Sequence, residues 1–208
     1  MSAARLASWG MSMAVRIITP PATDPITLTE AKSHLRVDHT DDDTLITGYI
    51  TAATRYAEEF TGRAFITQTL ELVLDEFRAQ IQIPRPPLQS VVSVKYDDSN
   101  GLEQTLTEGV DFLVDTASQP GWVVAVESIW PETIETINSV RIRYVAGYVD
   151  GNSPPSENVP RDIKSAILLI IGSLYSVRET VVVGAVAQHV PWGADQILRQ
   201  RSVVLPMA

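Results

Sequence analysis

The spacing of apolar residues along this chain runs at a 3.6-residue period, drops to two, and returns to 3.6. Between residues 43 and 61, Leu45, Ile46, Tyr49, Ile50, Ala53, Tyr56, Ala57 and Phe60 recur with the longer period. That spacing predicts a helix with one apolar face. Upstream, Leu28, Ala31 and Leu35 share the spacing and predict a shorter helix over residues 28–37. Thr27 and Glu30 occupy the positions of a capping box, in which hydroxyl and carboxylate each satisfy the other residue's amide. Asp41, Asp42 and Asp43 precede the longer helix, where carboxylates cap free amides and meet the positive end of the helix dipole. Gly62 suits the left-handed position just past its end, with Arg63 near the negative pole.

From residue 66 the pattern alternates as strands do. Strands are expected over residues 70–77, 81–83, 91–96, 103–106, 112–114, 122–126 and 140–145. Asn100-Gly101 marks a hairpin turn in which both residues are expected to take positive φ. Glycines and prolines crowd residues 147–160 and mark a boundary. The 3.6 period then resumes through Ile163, Ala166, Ile167, Ile170, Ile171, Leu174 and Tyr175, predicting a helix over residues 161–178 with Pro160 near its start. A short last helix is expected near residues 192–200.

Two wide apolar stripes need partners, and each is expected to be the other's. The fold class is therefore α+β: a small helical bundle core (helices near 28–37, 43–61, 161–178 and 192–200) with an inserted antiparallel β domain, a small sandwich or open barrel. Leu45, Ile46, Tyr49, Ile50, Tyr56, Phe60, Ile163, Ile167, Ile170 and Leu174 are the expected helical core. The expected organisation is an N-terminal arm over residues 1–25, a helical core over 26–65 and 159–180, the β domain over 66–146, and a C-terminal arm and tail over 181–208. Residues 180–190 are apolar but interrupted by Gly184, and read equally as strand, loop or assembly contact.

Composition narrows the function. The chain of 208 residues carries a net charge of -9, which disfavours general nucleic-acid binding through a basic surface. The acidity is uneven: residues 66–145 hold twelve acids and five bases, whereas residues 161–208 hold five bases and three acids. There is no cysteine, so there is neither a disulfide framework nor thiol chemistry. No apolar run reaches the roughly 18 residues of a membrane span, and residues 1–12 lack the continuous apolar core of a secretory signal.

Candidate chemistry is sparse. His34, His39 and the three aspartates suggest a cation site. A calcium loop counted from Asp38, however, would need glycine and glutamate where Asp43 and Tyr49 stand. A zinc site needs three or four converging ligands. His189 has no companion nucleophile. Glu58 and Glu59 are adjacent on a helix and point about 100° apart, as a solvated face would. No phosphate-loop, dinucleotide, zinc-protease or nucleophile-elbow motif is present. Neither an enzyme nor a cofactor is expected.

Four stretches in this order carry a resemblance: LTEAKSHLRVDHTDDD over residues 28–43, YAEEFTGRAFITQT over 56–69, IPRPPLQSVVSVKY over 83–96 and VPRDIKSAILLIIGSLYSVRE over 159–179. With an echo in VPWGADQIL over 190–198, the chain resembles the head–tail connector, or adaptor, proteins of long-tailed double-stranded DNA bacteriophages, prophages and gene transfer agents. The resemblance implies a structural virion protein, made in the bacterial cytoplasm and placed in the neck between capsid and tail. It implies a homo-oligomeric ring, twelvefold to match the portal protein, that docks beneath the portal and extends the DNA channel. DNA would touch it only in passing, and no membrane is involved. The ring would offer its far surface to a stopper or tail-completion protein. The resemblance also implies portal docking by the C-terminal segment, with Trp192, Ile197, Leu198, Arg199 and Arg201 as anchors. Two other readings remain open on the residues alone: a β-domain binding module for a carbohydrate or protein, and a small hydrolase.

Overall fold

A computed structural model describes residues 13–148, 158–176 and 192–203. The expected features of residues 1–12, 149–157, 177–191 and 204–208, His189 among them, lie outside these described residues. The chain forms two compact units, one from Pro21–Thr67 with Gly147–Val204, the other built on Gln68–Ala146 with the strand that precedes Pro20.

The first unit is helical. Helix α1 (Leu28–Leu35) starts at the capping box read from the sequence, with Thr27 Oγ1 accepting from the Glu30 amide and the Glu30 carboxylate accepting from the Thr27 amide. Helix α2 (Asp43–Thr61) ends at Gly62, whose φ of 67° is the left-handed geometry that a side chain resists. Helices α3 (Arg161–Ser176) and α4 (Trp192–Arg201) complete the unit. Ile46, Ile50, Ala53 and Ala57 of α2 are buried together with Ile163, Ala166, Ile167, Ile170 and Ile171 of α3. Tyr49, Phe60 and Leu174 pack against this core half-buried. Leu45 and Tyr56, expected inside, are 37% and 36% exposed. The apolar stripe of α2 is wider than the surface it packs on. The buried line runs through positions 46, 50, 53 and 57, and Leu45 and Tyr56 lie about a quarter turn or more to one side of it.

Asp42, at the N-cap of α2, makes no side-chain cap hydrogen bond. Asp42 and Asp43 make tertiary ties instead. Asp42 accepts from the Tyr175 hydroxyl of α3 at 2.6 Å, and Asp43 from Lys32 of α1 at 2.5 Å. A half-buried phenol and a half-buried ammonium need partners more than exposed amides do, because water can still solvate the latter.

Among the described residues, the second unit contains eight strands in two antiparallel sheets. One has the order β1 (Met13–Thr19), β2 (Gln68–Leu74), β8 (Val140–Ala146), β4 (Leu88–Asp97), β5 (Glu103–Leu106); the other has the order β3 (Gln80–Gln82), β7 (Trp122–Ala125), β6 (Phe112–Asp115). Leu70, Leu72, Val94, Ile142 and Tyr144 of the larger sheet and Ile81, Val123 and Phe112 of the smaller are buried. The Tyr144 hydroxyl donates to the Pro84 carbonyl at 3.0 Å, and burial pushes this phenol well above its ordinary range. Phe77 stacks on Trp130 with centroids 4.5 Å apart and meets Tyr96 edge-on. The β4–β5 turn differs from the expected form. Gly101 has positive φ but Asn100 does not, and Asp98 Oδ1 holds the turn by accepting from the Asn100 and Leu102 amides.

Two elements lie toward the ends of the chain. Residues 13–19, expected in an arm, form an edge strand, because Met13, Val15 and Ile17 align with Leu74, Leu72 and Leu70 of β2. Helix α4, expected as the short last helix of the bundle and within the C-terminal arm and tail, belongs to the helical unit. Within that unit the points where the β strands leave and return are neighbours: the Tyr148 amide donates to the Phe65 carbonyl at 3.1 Å. Gly147 makes the return at φ 131°, and a Cβ there would stand 2.6 Å from the Ile66 carbonyl carbon. No described helix is long and apolar enough to cross a membrane.

Candidate assembly surface

Helix α4 carries the residues expected to meet a partner, and its own packing decides which are available. Its period places Ala194 and Leu198 on one line, and both are fully buried. Ile197 sits beside them, half-buried against the same core. The far end of α4 is tied to the far end of α2. The Val203 amide donates to the Thr61 carbonyl at 2.8 Å, the Arg63 guanidinium to the Arg201 carbonyl at 2.7 Å, and the Ser202 hydroxyl to the Phe60 carbonyl at 3.3 Å. The last carbonyls of a helix lack intrahelical partners, so a guanidinium satisfying them adds both a hydrogen bond and a favourable charge.

The exposed side of α4 is polar. Arg199 pairs with Asp195 at 2.9 Å, its side chain remains 64% exposed, and its guanidinium lies 5.8 Å from the centre of the Phe60 ring. Phe60 in turn meets Tyr56, with centroids 5.9 Å apart. Partial burial and the Asp195 carboxylate push the Tyr56 phenol up. Arg201 pairs with Asp162 of α3 at 2.6 Å. Of the five residues expected as anchors, then, Leu198 is spent in the core, Ile197 is half spent, Arg199 and Arg201 face outward in ion pairs, and the Trp192 side chain lies outside the described residues. A helical period shows that Leu198 is on an apolar line, but not whether the line faces its own unit or a partner.

Elsewhere in this unit, Lys164 of α3 pairs with Glu30 of α1 at 2.6 Å. Burial pushes the Glu30 carboxyl up, but the hydrogen bonds from Lys164 and Thr27 outweigh it and hold the group below the usual glutamate range. Glu58, expected in solvent beside Glu59, instead accepts from the Phe65 amide at 2.8 Å and fastens the chain leaving α2. Glu59 is exposed. Among the described residues no group of three or more His, Asp or Glu is placed to hold a metal ion.

The second unit presents a charged face. Across the larger sheet Arg16, Glu71 and Arg143 stand in register, and Arg143 pairs with Glu71 at 3.0 Å. Arg141 grips Asp97 with two hydrogen bonds of 2.7 and 2.9 Å and reaches Glu103 at 3.1 Å. The Arg141 guanidinium holds the Asp97 carboxyl below its ordinary range. Such pairs on an open sheet fix register more than they add stability.

Residues 25–114 match the model of the phage gp6-like head-tail connector protein family. No curated protein sequence matches the chain. Among solved structures it is similar to a chain in the neck of an empty GTA particle computed with C6 symmetry, at 22% identity over 92% of this chain and 96% of that one, with a TM-score of 0.73. A chain in the virion of a native gene transfer agent particle gives the same identity, coverage and score. A chain in the neck of a native GTA particle computed with C12 symmetry gives 23% identity, the same coverage and a TM-score of 0.70. The resemblance is borne out by the family match, which takes in three of the four sequence stretches, and the α+β fold with its helical bundle and antiparallel sheets by the structural likeness.

Proposed function

We propose that this chain, matched to head–tail connector proteins over residues 25–114 and sharing its fold with chains of gene transfer agent necks, is a structural connector of a phage-like particle. The observation that carries this reading is the joint one. The family match spans α1, α2 and strands β2 to β6, and the fold likeness extends over 92% of the chain. The role is one of surfaces rather than of bond-making. The chain sits in the neck as a ring, lengthens the DNA channel, and joins portal to stopper or tail. The six- and twelvefold symmetries of the related necks support a ring of copies arranged head to tail, the arrangement that closes when the rotation per copy divides a full turn.

Portal docking uses the outer side of α4 together with the chain that follows it. Arg199 and Arg201 supply charge there, and arginine is among the residue types that most often dominate interfaces. Leu198 contributes indirectly, by holding α4 in place. The test is association of the full chain with portal rings from the same particle, measured by sedimentation and electron microscopy. The expected result is a ring seated on the portal, weakened by Arg199→Glu. A chain that stays monomeric with portal present, while binding a glycan or cleaving a model ester, refutes the connector reading.

A further inference from the structure

Among the described residues, the larger sheet has two open edges of opposite character. At one, every residue of β1 is exposed, although Met13, Val15 and Ile17 lie on the same face as the buried Leu74, Leu72 and Leu70. One cross-strand row runs Val15, Leu72, Ile142, Val94, Leu106 from edge to edge. The apolar interior of this sheet therefore runs out to β1 and is left uncovered, with Ile17 63% exposed. An uncovered edge strand of seven residues is a template for pairing with another chain unless charge or proline blocks it. The one charge here, Arg16, forms no ion pair among the described residues, since the Glu71 opposite it holds Arg143.

At the other edge β5 is also exposed, and the stretch from residue 97 to 111 that contains it has five acids and no base. Leu102 and Val110 flank it at 61% and 67% exposure, and Leu106 ends the apolar row. Asp97 and Glu103 are partly neutralised by Arg141 and Lys95, whereas Glu108 and Asp111 form no ion pair among the described residues.

We infer that β1 of one copy docks along the β5 edge of the next, continuing the larger sheet across the junction between copies. This rests on the ring reading above. The chemistry is complementary on both faces of the sheet: Val15, flanked by Met13 and Ile17, shares the apolar face and the row that Leu106 ends, and Arg16 enters the field of Glu103, Glu108 and Asp111. The two edges are different surfaces, so the contact is head to tail and compatible with cyclic closure. A twofold pairing of β1 with itself would set Arg16 beside Arg16, and one of β5 with itself would set acid beside acid.

The absence of native cysteine makes the test clean. Ala14 and Thr105 are small, exposed and on the polar face, in one row at opposite edges of the sheet. Four strand spacings put them roughly 19 Å apart within a copy, far beyond the span of a disulfide. The double variant Ala14→Cys, Thr105→Cys, assembled with portal rings and treated with oxidant or a short bis-maleimide, should give a ladder of covalent multimers. Either single variant should give none. Ile17→Asp should leave the monomer's circular dichroism unchanged and abolish the ring. If the wild type forms rings that Ile17→Asp leaves intact and the double variant gives no ladder, the inference fails while the ring reading stands. A dimer from Ala14→Cys alone also overturns it, in favour of the twofold pairing. A wild type that forms no ring with portal refutes both.

Discussion

Leu198→Ala tests whether α4 is part of the helical unit or a tail that docks only on a partner. The side chain is fully buried in the core that α2 and α3 share. Truncation removes three carbons, and at about 0.8 kcal/mol for each buried methylene the transfer loss is roughly 2.4 kcal/mol. The cavity left behind brings the expected total into the range of about 2–5 kcal/mol. Undocking sets a ceiling, because once α4 leaves the core further loss of contact there costs nothing more. Urea unfolding of the full chain, followed by helical circular dichroism, reads the change. With a slope of about 2 kcal/mol/M the midpoint falls by about 1 M or more. Native-state hydrogen exchange locates it: the Val203 amide, bonded to the Thr61 carbonyl at 2.8 Å, should lose protection first. Gln200→Ala, on the exposed side of the same helix, should stay within about 0.5 kcal/mol of wild type. If Leu198→Ala is as stable as Gln200→Ala and Val203 keeps its protection, α4 is not held by this core. A truncation at residue 191 does not separate these roles. Losing Ala194 and Leu198 strips the core as well as the tail, so lost portal binding in that variant would not by itself identify the tail as the anchor.

Ile167→Ala, fully buried on α3, should cost about 2–5 kcal/mol in the same assay, whereas Leu169→Ala, 38% exposed on the same helix, should cost much less; equal costs would mean the buried face of α3 is misassigned. Replacing residues 68–146 by a short Gly-Ser linker should leave a helical remainder, since Phe65 and Tyr148 are hydrogen-bonded neighbours within the helical unit; loss of the helical dichroism would show that the unit does not stand alone. Glu30→Gln should destabilise at neutral pH, and its difference from wild type should shrink on acidification. The folded carboxyl titrates below the ordinary glutamate range, so the unfolded chain takes up the proton first as pH falls, and the Glu30 contribution is lost as pH passes through the lowered folded value. A gap that stays constant between neutral pH and pH 3 would show that the carboxylate–lysine pair contributes nothing.

The sequence by itself determined the elements whose causes are local. The Thr27 capping box, the glycine that ends α2, the periods of α2 and α3 and the strand alternation each depend on neighbours a few residues apart, and each was legible. The head–tail connector resemblance was legible for a related reason, since it rests on contiguous stretches. Tertiary structure decided the partner of each surface. A 3.6 period gives the direction of an apolar face but not the width its neighbours cover, so Leu45 and Tyr56 fell outside the core. Asp42 and Asp43 had the right position for capping, yet the Tyr175 hydroxyl and Lys32, distant in sequence, claimed them. Residues 13–19 gained a strand only from the row of Leu70, Leu72 and Leu74 presented more than fifty residues later. Leu198 had no local reason to be interior. It is buried because Ala194 and Ile197 share its side of α4, and the α2–α3 core has apolar surface left for them to cover.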